Sequence, residues 1–301
     1  MEGPLIVART LSLPGTPDRF GNVWQYHSRS DRHSKVACWA ILFEMLQHSP
    51  LLRRHAAAGR VVFGVNQEMR DFRTNRTKNL DLVIAVPARE QDGRAVTLAD
   101  LAARWSVHLE AGQQRTLAGL PALVEGPTSA VLVALEAKAC MTAHIKALPR
   151  LFDELNSSHA TIHANTDSAL AVGFTMVNAS PTFVSSDLNK HDLATLPAVV
   201  SEHRQPLWAT RTVAKLTELP RRAGRSQEGF DALGIVVVDM ANDGTPVRVV
   251  DAPPAPKPAD VFHYDQMMHR LLHQYETAYS ALNLCAWRVT VGCRGCCVRR
   301  W

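Results

Sequence analysis

The chain has 301 residues, 46% hydrophobic and 20% charged, which is enough apolar material for a sizeable core and too much for a disordered segment. No run reaches the ~18 apolar residues that span a bilayer, and MEGPLIVARTLSLPGTP lacks the basic start and apolar stretch of a secretion signal, so a soluble, cytoplasmic protein with no membrane association is expected. A net charge of +5 and a pI near 9.0 lean toward a polyanionic partner.

In chain order, SKVACWAILFEMLQ at 34–47 is apolar all round and predicts a buried helix with Ser34 as a plausible cap, and LLRRHAAAG predicts a second helix ending at Gly59. RVVFGVNQEM is a strand candidate, DFRTNRTKN a polar, basic loop, and LDLVIAV at 80–86 a short β-branched strand stopped by Pro87. Residues 88–128 look like an insertion, with a turn at Gln91-Asp92-Gly93 and a helix from about Thr97. AVLVALEAKAC at 130–140 reads as a central strand, MTAHIKALPRLFDELNSSH as a helix kinked or restarted at Pro149, and ALAVGFTMVN at 169–178 as another buried strand. Helix, strand, strand, strand, helix, strand implies a mixed sheet with helices on its faces. Farther on, GIVVVDM and VRVVD flank a turn at Ala241-Asn242-Asp243-Gly244 as a hairpin, PPAPKPAD is a stiff connector, and DVFHYDQMMHRLLHQYETAYSALN is a terminal helix.

The chemistry concentrates on two of these strands. Period-two alternation puts Glu136 and Lys138 on one face of the 130–140 strand, and Asp81 shares a face with Val83 at the start of the 80–86 strand. Buried charges need a partner or a metal ion, and two carboxylates brought close repel unless a cation lies between them. Oxygen ligands with retained waters suit Mg²⁺, which would hold a phosphate oxygen and acidify a bound water while Lys138 neutralises charge developing on phosphorus.

Asp81 and the triplet Glu136-Ala137-Lys138, with Glu44 on the preceding buried helix, resemble the PD-(D/E)xK nuclease superfamily over roughly residues 30–180. The resemblance implies an α/β, restriction-endonuclease-like mixed central sheet flanked by helices: a core over 1–180 with the 88–128 insertion, and a C-terminal hairpin and helix elaboration over 181–301. It implies a Mg²⁺-dependent DNA endonuclease, similar to prokaryotic defence nucleases such as type II restriction enzymes or second-messenger-activated effectors. Asp81 and Glu136 would be metal ligands, the Ala137 carbonyl a further one, Lys138 the charge-stabilising amine and Glu44 a supporting group. The sequence departs from the pattern in carrying Leu80 where the signature has proline, and in placing 54 residues between Asp81 and Glu136.

The basic loop Arg70, Arg73, Arg76 and Lys78 precedes Asp81 and would lie at the mouth of such a site for DNA contact, with Arg204, Arg211, Lys215, Arg221, Arg222 and Arg225 as a second basic run around Trp208. Structural alternatives stand beside each reading. Glu136 and Lys138 also fit a solvent-facing ion pair, Asp81 a turn residue, and Glu44 a core glutamate paired with Arg53 or Arg54. Glu68, Asp71 and Asp239 are weaker acidic candidates, and His144, His159 and His163 weaker histidines. Cys285, Cys293, Cys296 and Cys297, or His269 and His273 one turn apart, offer partial zinc ligand sets, whereas Cys38 and Cys140 read as core thiols. The apolar face of the terminal helix suits core packing or a homo-oligomer, dimer or higher. The non-enzymatic alternative is a nucleic-acid-binding or assembly protein in which the basic segments do the work.

Overall fold

The computed structural model describes residues 1–72, 74–89, 95–224 and 227–281. In chain order its elements are α1 (Gly3–Ser12), α2 (Arg32–His48), α3 (Pro50–Ala57), β1 (Val62–Asp71), β2 (Arg76–Pro87), α4 (Leu98–Arg104), α5 (Ala111–Gly119), β3 (Thr128–Cys140), α6 (His144–Asn165), β4 (Leu170–Asn178), β5 (Thr182–Val184), β6 (Val200–Glu202), α7 (Leu207–Leu216), β7 (Ala232–Asp239), β8 (Arg248–Val250) and α8 (Tyr264–Tyr279). They form a mixed α/β fold around a six-stranded sheet of order β1-β2-β3-β4-β7-β8, with β5 and β6 paired apart from it. β2 pairs antiparallel with β1 on one side and β3 on the other, β3, β4 and β7 run parallel, and β8 returns antiparallel to β7.

Two apolar layers arise from the alternation of these strands. Leu82, Ile84, Leu135 and Ala137 face a layer built from α1, α2 and α8, while Leu80, Val83, Ala85 and Ala134 face α6 and α7. From Val36 to Leu46 the only strongly polar residue of α2 is Glu44, and every residue of that stretch is buried. Trp39 and Phe43, one turn apart, stack at 5.2 Å between ring centroids. Burying side chains of this size contributes about 1.5–3 kcal/mol each, so α2 is a foundation of the fold.

The expected succession from helix through three strands and a helix to a fourth strand is present from α2 to β4, with α4 and α5 inside the 88–128 insertion, and the β7–β8 hairpin is present too. Thr97 caps α4 through a reciprocal capping box with Asp100. Three expectations need correction. The polar run at 76–79 is strand, because Asp71, Thr74 and Asn75 close a tight turn and set Arg76 opposite Asp71; Asp81 therefore lies inside β2 and does not open it. Ser34 is inside α2 and does not cap it. Helix α6 runs unbroken through Pro149, its sixth residue, and buried Leu151, Leu155 and Ile162 hold the turns after it against the sheet.

Residues after 180 complete the same sheet, because β7 pairs in parallel with β4; they are additions to one body. Tyr264, Met267, Met268, Leu271 and Tyr275 of α8 are spent on the core, so the face expected to serve oligomerisation is covered by the chain itself. Helices α1 and α7 have no counterpart among the elements expected from the sequence. Among the described residues no helix is long and apolar enough to cross a membrane. The turn at 91–93 and Cys285, Cys293, Cys296 and Cys297 lie outside the described residues.

Candidate active site

The β2–β3 ladder ends at the rung Leu82↔Leu135, and one residue farther the strands part. Asp81 fills the opening: its Oδ2 accepts the Ala137 N–H at 2.9 Å, taking a backbone donor of β3 that no strand partner on that side reaches. Its Oδ1 lies 3.1 Å from the Ser34 hydroxyl in the first turns of α2, a group shared with the Asp31 carbonyl at 2.9 Å. Burial pushes the Asp81 carboxyl above its usual range, partly offset by the Ala137 amide and the Lys138 charge.

Glu136 is 2% exposed and turns toward α6. Its Oε1 lies 2.9 Å from Lys138 Nζ and 3.8 Å from Lys78 Nζ, while its Oε2 is buried with no hydrogen-bond partner among the described residues. Burial raises this carboxyl also; Lys138 opposes the shift and the charge of Asp81 adds to it. Burial would lower the Lys138 ammonium, but Glu136 at contact distance outweighs it and the net direction is up. Lys78 goes the other way, lowered by burial against the pull of Glu136. Its ammonium donates to the Glu154 carbonyl at 2.6 Å and to Ser157 Oγ at 3.1 Å, and also bonds Ser158 Oγ. Glu154 completes the group, with Oε2 3.8 Å from Lys138 Nζ.

The structure thus brings Asp81, Glu136, Ala137 and Lys138 together, on different terms from those expected. Side-chain alternation breaks around Asp81, since Leu80 and Leu82 face opposite layers, so Asp81 leans toward α2 and Glu136 toward α6. Their charges are felt across the parted strands, and Asp81 reaches β3 at the Ala137 amide next to Glu136. Ala137 sits opposite Phe174 of β4 and contributes its N–H to Asp81. Lys78 is an interior member of the group, not a cation at its mouth. Arg70 is exposed and bonded to Asn75, Arg76 is exposed at the hairpin end, and Arg73 lies outside the described residues.

Glu44 is elsewhere. Ten residues separate it from Ser34, roughly 15 Å along α2. Its Oε1 accepts the N–H groups of Glu2 and Gly3 at the start of α1, and its Oε2 accepts the Tyr264 hydroxyl at 2.7 Å. Gly3 is required there, because a Cβ would stand 2.1 Å from the Tyr264 oxygen. It is a buried carboxylate capping a helix start, and its partners are neither Arg53 nor Arg54.

The remaining candidates have structural partners. Asp71 closes the β1–β2 turn on Thr74, Glu68 and Asp239 are exposed, and His144, His159 and His163 bond to Asn178, Asn156 and Gly229. In the second basic run Arg222 is buried against Asp231 and Lys215 pairs with Glu218, while Arg225 lies outside the described residues. His269 and His273 are exposed, and among the described residues no group of three or more His, Cys, Asp or Glu converges.

Sequence reasoning missed Glu154, Ser158 and Ser34. The inward stripe of α6 signalled the first two, since Glu154 lies three residues after Leu151 and four before Ser158.

Two carboxylates cannot form a closed cage; a site with so few protein ligands could hold only an ion that keeps several waters, as Mg²⁺ does. The unpartnered Glu136 Oε2 is the atom that fits a hard cation, since it is an acceptor with nothing to accept. Comparison with family models, curated proteins and solved structures returned no match for this chain.

Proposed function

We propose that the chain is a Mg²⁺-dependent phosphodiester hydrolase acting on DNA, with a restriction-endonuclease-like core and a role in prokaryotic defence as the resemblance implies. The observation that carries the reading is the convergence at the parted strands: an Asp81 carboxylate anchored on the Ala137 amide, beside a buried Glu136 whose second oxygen has no partner and whose first holds Lys138.

Asp81 and Glu136 would hold the ion, which when bound supplies Lewis acidity toward a phosphate oxygen and a water of lowered pKa. Asp81 is fixed for this by Ala137 and Ser34, so little reorganisation is asked of it. Lys138 stays protonated, because Glu136 raises its pKa, and is available to neutralise charge on the phosphate. Lys78, tied to α6 by Glu154 and the two serines, balances Glu136 while Lys138 is engaged elsewhere.

The test is incubation of the purified chain with plasmid and Mg²⁺, with and without EDTA, alongside Lys138→Ala. Metal-dependent cutting that vanishes in the variant supports the reading; full cutting by the variant removes it. A second, non-enzymatic reading draws on one observation: both oxygens of Asp81 and the first of Glu136 already have partners within the fold. On that reading the group is an ion-pair network in a nucleic-acid-binding or assembly protein, and DNA binding is indifferent to EDTA.

A further inference from the structure

The residues on either side of Ser34 open onto a cavity of about 590 Å³, between the first turn of α2, the chain from Pro14 to Asp31 and the end of α4 at Arg104–Ser106. Its size falls in the range of small-ligand sites, and its wall carries three aromatic rings, Trp24, Tyr26 and Trp105. Tyr26 lies 5.0 Å from the His33 ring, and the Lys35 ammonium stands 6.0 Å from the centre of Trp105.

Three cations and two carboxylates line the space, a net balance of one positive charge. Asp31 pairs with Lys35 at 2.6 Å, and Asp18 accepts from Phe20 N, Asn22 N and Trp24 Nε1. The Arg32 guanidinium donates to the neutral carbonyls of Leu13 and Thr10, and among the described residues neither it nor the exposed Arg104 has an ion pair. The N-terminus of the 17-residue helix α2 adds its positive dipole end at the same wall. Flat aromatic surface beside uncompensated positive charge matches a ligand with a planar base at one end and a phosphate at the other.

We infer that this cavity is a nucleotide-binding site, with the base against Trp105 and Tyr26 and the phosphate toward Arg104 and Arg32. A nucleotide has two possible sources: one unit of a nucleic-acid strand or a free mononucleotide. Only the first rests on the nuclease reading, since His33 and Lys35 of the cavity wall flank Ser34, whose hydroxyl bonds Asp81.

Calorimetric titration in EDTA tests the site apart from catalysis, using deoxynucleoside monophosphates, a single-stranded deoxyoligonucleotide, and inorganic phosphate and deoxyadenosine as half-ligands. Binding of a monophosphate or the oligonucleotide at least tenfold tighter than either half-ligand is expected, as is a further tenfold loss in Arg104→Glu and in Trp105→Leu. Arg104 is exposed, so its variant keeps the fold even where Trp105→Leu does not. A monophosphate that displaces the oligonucleotide marks a strand-binding subsite; one that binds alongside it marks a free-nucleotide site. Absence of binding by both, or unchanged binding in Arg104→Glu, overturns the inference. The titration is run without Mg²⁺ and reads binding alone, so loss of cleavage in Lys138→Ala and loss of binding in Arg104→Glu are read separately.

Discussion

Two buried ionic groups hang on the same sheet, and they differ in what they leave unspent. At Asp231, before β7, the carboxylate accepts Arg222 Nε on Oδ1 at 2.8 Å and the Ala171 N–H on Oδ2 at 2.8 Å. Arg222 goes on to the carbonyls of Asp167 and Ala169, and Arg270 ties in the backbone of both Asp231 and Arg222. Asp81 is built alike, with one oxygen on a β3 amide and the other on a hydroxyl. Among the described residues, the buried atoms without partners include nitrogens in the first group, Arg222 Nη1 and His163 Nδ1, and a carboxylate oxygen in the second, Glu136 Oε2. The first group has its charge matched within the fold, whereas the second holds a carboxylate oxygen that none of the described residues satisfies.

The largest expected effect separates them by function. Lys138→Ala should lower Mg²⁺-dependent cleavage by at least about 10²–10³-fold, the usual cost of removing a group that stabilises transition-state charge, with little change in melting temperature. Near-normal cleavage, measured on plasmid, would place this group with the Arg222 cluster as mere architecture.

The converse substitution comes next. Arg222→Leu leaves Asp231 buried without its counter-charge and should cost about 3–5 kcal/mol in denaturant unfolding while sparing cleavage per folded molecule. A loss under about 1 kcal/mol would show that the Asp231 group is no keystone.

Smaller again is Glu44→Gln. The amide keeps one acceptor for the α1 amides but loses the charge at that helix start and sets its NH₂ toward Tyr264, for about 1–2 kcal/mol of stability. Cleavage should stay within twofold, because Glu44 lies roughly 15 Å along α2 from the Asp81 contact. A hundredfold loss of cleavage with an unchanged melting temperature would restore the catalytic role that the sequence suggested.

That residue shows where the sequence was legible and where it was not. The apolar runs at 36–46, 80–86 and 130–140 identify α2, β2 and β3 because a continuous buried stretch has few other solutions, and Glu136-x-Lys138 identifies one face of β3 by simple alternation. The direction of Glu44 depends on α1 and α8, elements that meet α2 from opposite ends of the chain. Asp81 depends on where the β2–β3 ladder stops, which is a property of two strands separated by the 88–128 insertion and of neither alone. Lys78 reads as a loop cation until the turn at 71–75 draws it into β2 and against Glu154. Pairwise geometry, invisible in one-dimensional periodicity, decided each of these.

The smallest effect has a sign that tells the two groups apart. Because burial raises the folded-state pKa of both Asp81 and Glu136, their ionisation opposes folding: stability from these groups is full below the ordinary carboxylate range and declines as pH rises through the raised values. A cation binding there favours the ionised carboxylates and counters the decline, so Mg²⁺ should raise the melting temperature at pH 8 and fade as pH falls through those raised values. At ten times its dissociation constant Mg²⁺ contributes about 1.4 kcal/mol, a shift of a few degrees for a chain of this size. His159, buried and pushed down to about 4 chiefly by desolvation, has the opposite slope: its neutral form is the folded one, and its contribution is lost as pH falls from 6.5 toward 4 with or without the ion. Thermal melts from pH 5 to 8 in Mg²⁺ and in EDTA therefore give two curves that converge at acid pH and part above it. Glu136→Gln should merge them at every pH, and two curves that already coincide in the unaltered chain would remove the proposed ion from Glu136 Oε2.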